Sequence, residues 1–213
     1  MSIFQKIRRV MGTAQIKEAI SDPFIYKDNK KSFAGNTLEG SNVLIVTNCK
    51  EASSEVMKIK KLLDTEKCNF RFIYVGIEEF CISQIEESVG NFIGRVDHII
   101  NILDVNILHG RAVMQIYKCL QTEAKYAIDK ICRGGGICVT VRYDSNTDPG
   151  LQAEINAISK AVNGLGMVMA DHDIIVNGAV IQKSVPLEDE LATVIFLCSK
   201  YGQILAGEVL EMS

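Results

Sequence analysis

The 213-residue sequence has no tryptophan, three prolines and three histidines. Its apolar runs are strand-sized and are broken by Asn, Asp or Lys, well short of the ~20 residues a membrane-spanning helix needs, so no membrane span is expected. It also lacks an excess of basic residues. With 23 Lys and Arg against 26 Asp and Glu, the net charge is −3, and no broad positive field is available for a nucleic-acid backbone. The opening MSIFQKIRRVMG has no apolar h-region or small-residue cleavage site, which gives a cytoplasmic expectation. The seven cysteines form no C-x-x-C pair and read as reduced core thiols. His98, His109 and His172 lie far apart in the sequence, so no metal site is expected. Repeats and low-complexity tracts are absent too.

What remains is 47% hydrophobic residues, enough for one sizeable core. From about residue 41, short β-branched runs alternate with stretches of helical period, the mark of βαβ units. Strands are expected at NVLIVTN (42–48), FRFIYV (70–75), DHIINIL (97–103), GICVTVR (136–142) and HDIIVNGAV (172–180), with ILAGEVLEM (204–212) as a sixth at the edge. Amphipathic helices lie between them. The fold class is therefore α/β, a Rossmann-like doubly wound parallel sheet of about six strands. Residues 1–40 read as an N-terminal helical extension with two short amphipathic helices and a polar, solvated linker; residues 41–213 form the Rossmann-like domain. The extension has more Lys and Arg than acids, and its plain reading is packing on its own sheet.

From Leu38 to Met212 the order of motifs resembles the short-chain dehydrogenase/reductase family. LEGSNVLIVTN is similar to the family's L-x-G-K-x-x-x-V-T-G, and RVDHIINILDVN to its G-x-I-D-x-L-V-N-N-A-G. GGGICVTVRYDS resembles the strand that brings in the catalytic serine. ISKAVNGLGMVMADHDIIVNGAV and DELATVIFLCSKYGQILAGEVLEM resemble S-K-A-A-x-x-G-L … I-x-V-N-x-V and the closing E-E-I-A-x-x-V-x-F-L segment. The resemblance implies an NAD(P)-binding oxidoreductase fold whose proton donor is a tyrosine, with a lysine four residues later.

At the functional positions this sequence departs from that pattern. The glycine-rich turn T-G-x-x-x-G-x-G is here Thr47 to Ser54, with Asn48, Ala52 and Ser54 at the glycine places, where backbone would have to approach a pyrophosphate. Ser53 or Ser54 reads as a helix cap. Lys160 matches the family's lysine, but Asn156 stands at the tyrosine position, and an amide has no titratable proton for the step. The serine falls at Arg142 or Tyr143, and the supporting asparagine near Met114 or Gln115. Val96 follows Val75 by 21 positions, so one βα unit, the one that reads the adenosine ribose, is missing. The lid after VNGAV shrinks to IQKSVPLED. The family's N-N-A-G becomes NILD, Asn101 to Asp104, with a carboxylate near where the dinucleotide would lie; Asn101 and Asp104, with Thr47 and Asn48, mark a vestigial cofactor site.

The leading expectation is a non-catalytic, pseudoenzyme-like member with no cofactor. It would act as a structural or regulatory subunit, a homo- or hetero-oligomer joined through helices near 109–133 and 149–169, in the second case with an active reductase. Ala112, Ile116, Cys119 and Leu120 on one helix, and Ala153, Ala157, Ala161 and Gly164 on the other, would form the contact. Two alternatives stand beside it. One is an NAD(P)-dependent short-chain oxidoreductase using Lys160 with Tyr143 or a serine. The other is a small-ligand protein whose crevice gathers Asn48, Asn101, Asp104 and Arg142 at the strand C-termini.

Overall fold

A computed structural model describes residues 24–27, 30–33, 38–76, 82–90, 95–108, 111–146, 148–199 and 202–213. The two short helices expected before residue 23 lie outside the described residues. Where a solvated linker was expected, Phe24–Lys27 (β1) and Lys30–Phe33 (β2) pair antiparallel. The lysines of KKSF, a residue type depleted in strands, conceal this pairing in the sequence.

The main sheet has six strands: β3 (Asn42–Thr47), β4 (Asn69–Tyr74), β5 (Val96–Asp104), β6 (Ile131–Tyr143), β7 (Ile175–Gln182) and β8 (Val209–Met212). Their order is β4-β3-β5-β6-β7-β8, and every adjacent pair is parallel. Chain direction across the sheet therefore reverses at β3, which has β4 on one side and β5 on the other. In an open α/β sheet the crevice beyond the strand C-termini at such a reversal is the usual ligand position. The run expected at 204–212 divides into a 3-10 turn, Gly202–Leu205, and the short strand β8.

Among the described residues, five helices cover the sheet. α1 (Ser54–Thr65) and α5 (Leu187–Cys198) pack on one face against Val43, Ile45, Ile102 and Ile181; α2 (Ile82–Val89), α3 (Ala112–Lys130) and α4 (Pro149–Ala170) pack on the other against Leu44, Val46, Leu103 and Val139. The alternation follows from the period-2 geometry of strands covered on both faces, which also explains why β5 reads as nearly unbroken apolar sequence. Each fully buried Ile or Leu contributes roughly 1.5–3 kcal/mol relative to exposure.

The ends of the helices are locally encoded. The Ser53 hydroxyl accepts from the Val56 N–H at 3.3 Å and Asp148 accepts from the Leu151 N–H at 3.0 Å, so each caps the helix that follows. Pro149 occupies the first turn of α4, where no N–H partner is needed. At Gly166 α4 approaches the turn before β8 so closely that a Cβ would lie 2.4 Å from the Cα of Gly207. Only glycine fits there. No helix among the described residues is long and apolar enough to cross a membrane.

Candidate functional site

The strand C-termini at the reversal bring several polar residues to one rim. Thr47, at the end of β3, is fully buried, and its hydroxyl donates to the Ile102 carbonyl at 2.8 Å. Asn48 follows and reaches across to β5. Its amide donates to the Asp104 carbonyl at 2.8 Å, and its carbonyl accepts from the Asp104 N–H at 2.8 Å. The residue standing at the first glycine place thus clasps the two strands that flank the reversal.

Asp104 and Arg142 are register partners on β5 and β6 and share a face of the sheet. Arg142 is buried at 4% exposure. Its Nη1 donates to Glu55 of α1 at 3.1 Å, and its Nε lies 3.1 Å from a carboxylate oxygen of Glu190 on α5 without good N–H alignment. Burial pulls the Arg142 guanidinium down, but Glu190 and Glu55 outweigh it and hold the cation above its usual range. Burial pushes the Glu190 carboxyl up, with Arg142 opposing.

A second group lies beside the first. Lys183, in the short link from β7 to α5, sits 2.7 Å from Asp104 and 3.1 Å from Asp144. Burial lowers its pKa, the two carboxylates raise it, and the net direction is upward. The other Asp104 oxygen accepts from the Asn106 N–H at 3.0 Å, and the Asn106 side chain accepts from the Asp144 N–H at 3.0 Å. The rim therefore carries four carboxylates, Glu55, Asp104, Asp144 and Glu190, against the two cations Arg142 and Lys183.

Sequence reasoning missed Glu55, Glu190, Lys183 and Asp144. Arg142 and its partner Glu55 are 87 positions apart, and no local pattern announces such a pair. Asn101 is a correction. It does not join the rim: it is fully buried on the opposite face of the sheet, and its amide donates to Glu123 of α3 at 2.8 Å. The strand period contained the signal, because Asn101 and Asp104, three residues apart, must point to opposite faces. Tyr143 is likewise on the opposite face from its neighbour Arg142, half-buried against the α3/α4 core. Asn156 and Lys160 are exposed, one turn apart on α4. No hydrogen bond joins Lys160 to Tyr143 among the described residues. Cys49, beside the turn, is buried, and burial pushes its thiol up, against nucleophilic use.

The first turn of α1, where a pyrophosphate would gain from the helix dipole, already holds the Glu55 carboxylate directed to Arg142. Both polar atoms of the Asn48 side chain are engaged by the Asp104 backbone, and the rim has more carboxylates than cations. No group of three or more His, Cys, Asp or Glu suited to a metal occurs among the described residues.

The helix faces also divide. Ala112, Ile116, Cys119 and Leu120 are buried against the sheet, correcting the expectation that they face a partner. The expected helix near 109–133 is α3, Ala112–Lys130; residues 131–133 belong to β6, and 109 and 110 lie outside the described residues. On the outer side of α3 are Met114 and Tyr117, at 62% and 47% exposure. On α4, Ala153, Ala157 and Gly164 are exposed and Ala161 half-buried, with Met167 and Val168 exposed at 77% and 60%.

The architecture has solved counterparts. A Serratia marcescens short-chain dehydrogenase/reductase variant aligns with a TM-score of 0.63 at 15% identity, covering 82% of this chain and 96% of its own. A short-chain dehydrogenase/reductase of Burkholderia xenovorans gives 0.60 at 13%, covering 84% and 97%. A short-chain dehydrogenase of Oenococcus oeni gives 0.56 at 14%, covering 87% and 98%. The fold is that of the short-chain dehydrogenases. At these identities the likeness concerns fold alone. No protein-family model and no curated relative matches the sequence.

Proposed function

We propose that this chain is a non-catalytic protein of short-chain dehydrogenase fold that acts as a structural or regulatory subunit, associating through the outer faces of α3 and α4. The observation that carries the reading is the rim itself. Where a dehydrogenase of this fold would hold its cofactor, Asn48 is spent on Asp104, Arg142 on Glu55 and Glu190, and Lys183 on Asp104 and Asp144. Charged groups engaged with one another in ion pairs leave little free to recognise a substrate.

The second support is the contrast on the surface. Five of the eight exposed large hydrophobics among the described residues, Met114, Tyr117, Ile128, Met167 and Val168, lie on α3 and α4, and exposed apolar side chains gathered on neighbouring helices suit a protein interface. Of the tetrad positions, Lys160 alone matches, and it sits on this exposed side, beside Asn156, as an interface or surface cation.

The test is sedimentation velocity of the whole protein, alone and with proteins that co-purify with it, against a Met167→Lys, Val168→Lys double variant. The expected result is an assembly larger than one chain that the double variant dissociates. A single-chain species in both, with no co-purifying partner, contradicts the association reading.

A further inference from the structure

Glu123 is fully buried in α3, against the middle of the sheet, and none of the rim chemistry uses it. Asn101 on β5 donates its amide to one carboxyl oxygen of Glu123 at 2.8 Å. Two buried atoms of the same pair then have no donor among the described residues: the other carboxyl oxygen of Glu123 and the side-chain carbonyl of Asn101. Both are acceptors. An ionised Glu123 cannot satisfy them, because a carboxylate donates nothing, and an unpaired charge in an apolar core is among the costliest groups a fold can hold. One proton supplies what is missing. Placed on the free Glu123 oxygen, it can donate to the Asn101 carbonyl and close a two-bond ring of acid on amide.

We infer that Glu123 is carried in the folded protein as the neutral acid, paired with Asn101 through two hydrogen bonds, and that this pair is a pH-sensitive latch fastening α3 to the centre of the sheet. The surroundings agree. Among the described residues, Asn101 is the only group other than burial that shifts the Glu123 carboxyl, and burial is the larger influence, raising it to about 8. From its own helix, Cys119 lies one turn away, and its thiol is pushed up by burial and then by Glu123. From β6 comes the Cys138 carbonyl, 3.5 Å from the Asn101 amide. α4 contributes Ile155 and Ile158 to the same core, and neither its Glu154 nor Tyr126 of α3 perturbs Glu123.

The sign follows from linkage. An acid whose folded pKa stands above its unfolded value contributes stability that is complete below the unfolded pKa and gone once the pH has risen through the folded one. Between about pH 5 and 8 the unfolding equilibrium should shift toward the unfolded chain by up to tenfold per pH unit for this one proton. His98 works in the opposite sense, since burial lowers its pKa, and Glu190 in the same sense. Both are retained in a Glu123→Gln variant, so comparison with that variant cancels them. Glutamine keeps the size and can donate to the Asn101 carbonyl without a titrating proton.

Two measurements on the full chain test the latch. The first is carboxyl 13C NMR of the folded protein, with Glu123 assigned by the signal absent from Glu123→Gln. A midpoint near 8 is expected, and a signal already ionised at pH 6 overturns the proposal. The second is urea unfolding of both proteins from pH 5 to 8. The stability of wild type relative to Glu123→Gln should fall as pH rises, and a pH-independent difference contradicts the latch. Should Glu123→Gln fail to fold, an urea-unfolding comparison is lost but the wild-type NMR titration, assigned by sequential connectivity, still decides.

Discussion

The two faces of the sheet end differently. Under α1 and α5, the C-terminal rim closes on itself, with Glu55, Arg142 and Glu190 joining both helices to β6 and Lys183 tying two acids beside them. On the other face, α3 and α4 bury one side and present Met114, Tyr117, Met167 and Val168 on the other. The charged groups of the rim are paired with one another, whereas the outer faces of α3 and α4 carry exposed apolar side chains. The same core supports both arrangements, because packing is set by β-branched strands and helix stripes and not by what lies at their ends.

The contrast can be strained most severely at Arg142. Arg142→Ala should cost about 3–5 kcal/mol in urea denaturation, since it strands the buried Glu190 without its cation. A double variant, Arg142→Met with Glu190→Leu, should recover much of that loss, because replacing a buried pair with apolar volume is often close to neutral. If the single variant is as stable as wild type, the rim is not the closed network described.

Next in size is a comparison within one helix. Gly166→Ala should destabilise by about 1–3 kcal/mol through overpacking against Gly207. Gly164→Ala, two positions away, adds a methyl to open space and should stabilise by about 0.5–1 kcal/mol through helix propensity. Thermal melts of the two variants should move in opposite directions. Between them stands Asn48→Ala, which removes both bonds to Asp104 and should cost about 1–2 kcal/mol.

The sequence made most of this architecture legible. The β5 expectation, 97–103, matches Val96–Asp104, and the stretch read as helical from Leu151 is α4, Pro149–Ala170. Apolar period and turn residues act locally, so they survive translation into a one-dimensional pattern. The rim was half legible. Asn48, Asp104 and Arg142 stand at strand ends, where position alone gathers them. Their partners did not show, since the Asn48 clasp spans 56 positions and depends on how strands are ordered. Asn101 stands near the strand's end but, three residues before Asp104, faces the other side of the sheet, which its place alone does not reveal. On α3, Cys119 and Leu120 read as contact residues because a helix stripe marks an apolar face without saying which neighbour covers it.

The measurement that bears most directly on the closed rim is isothermal titration of the whole protein with NADPH and NADH, followed by thermal shift under the same conditions. No heat and no shift are expected at millimolar cofactor. Micromolar binding, with stabilisation of about 2.7 kcal/mol at a hundred times Kd, would contradict the closed rim and return Lys160 and Tyr143 to consideration as working groups.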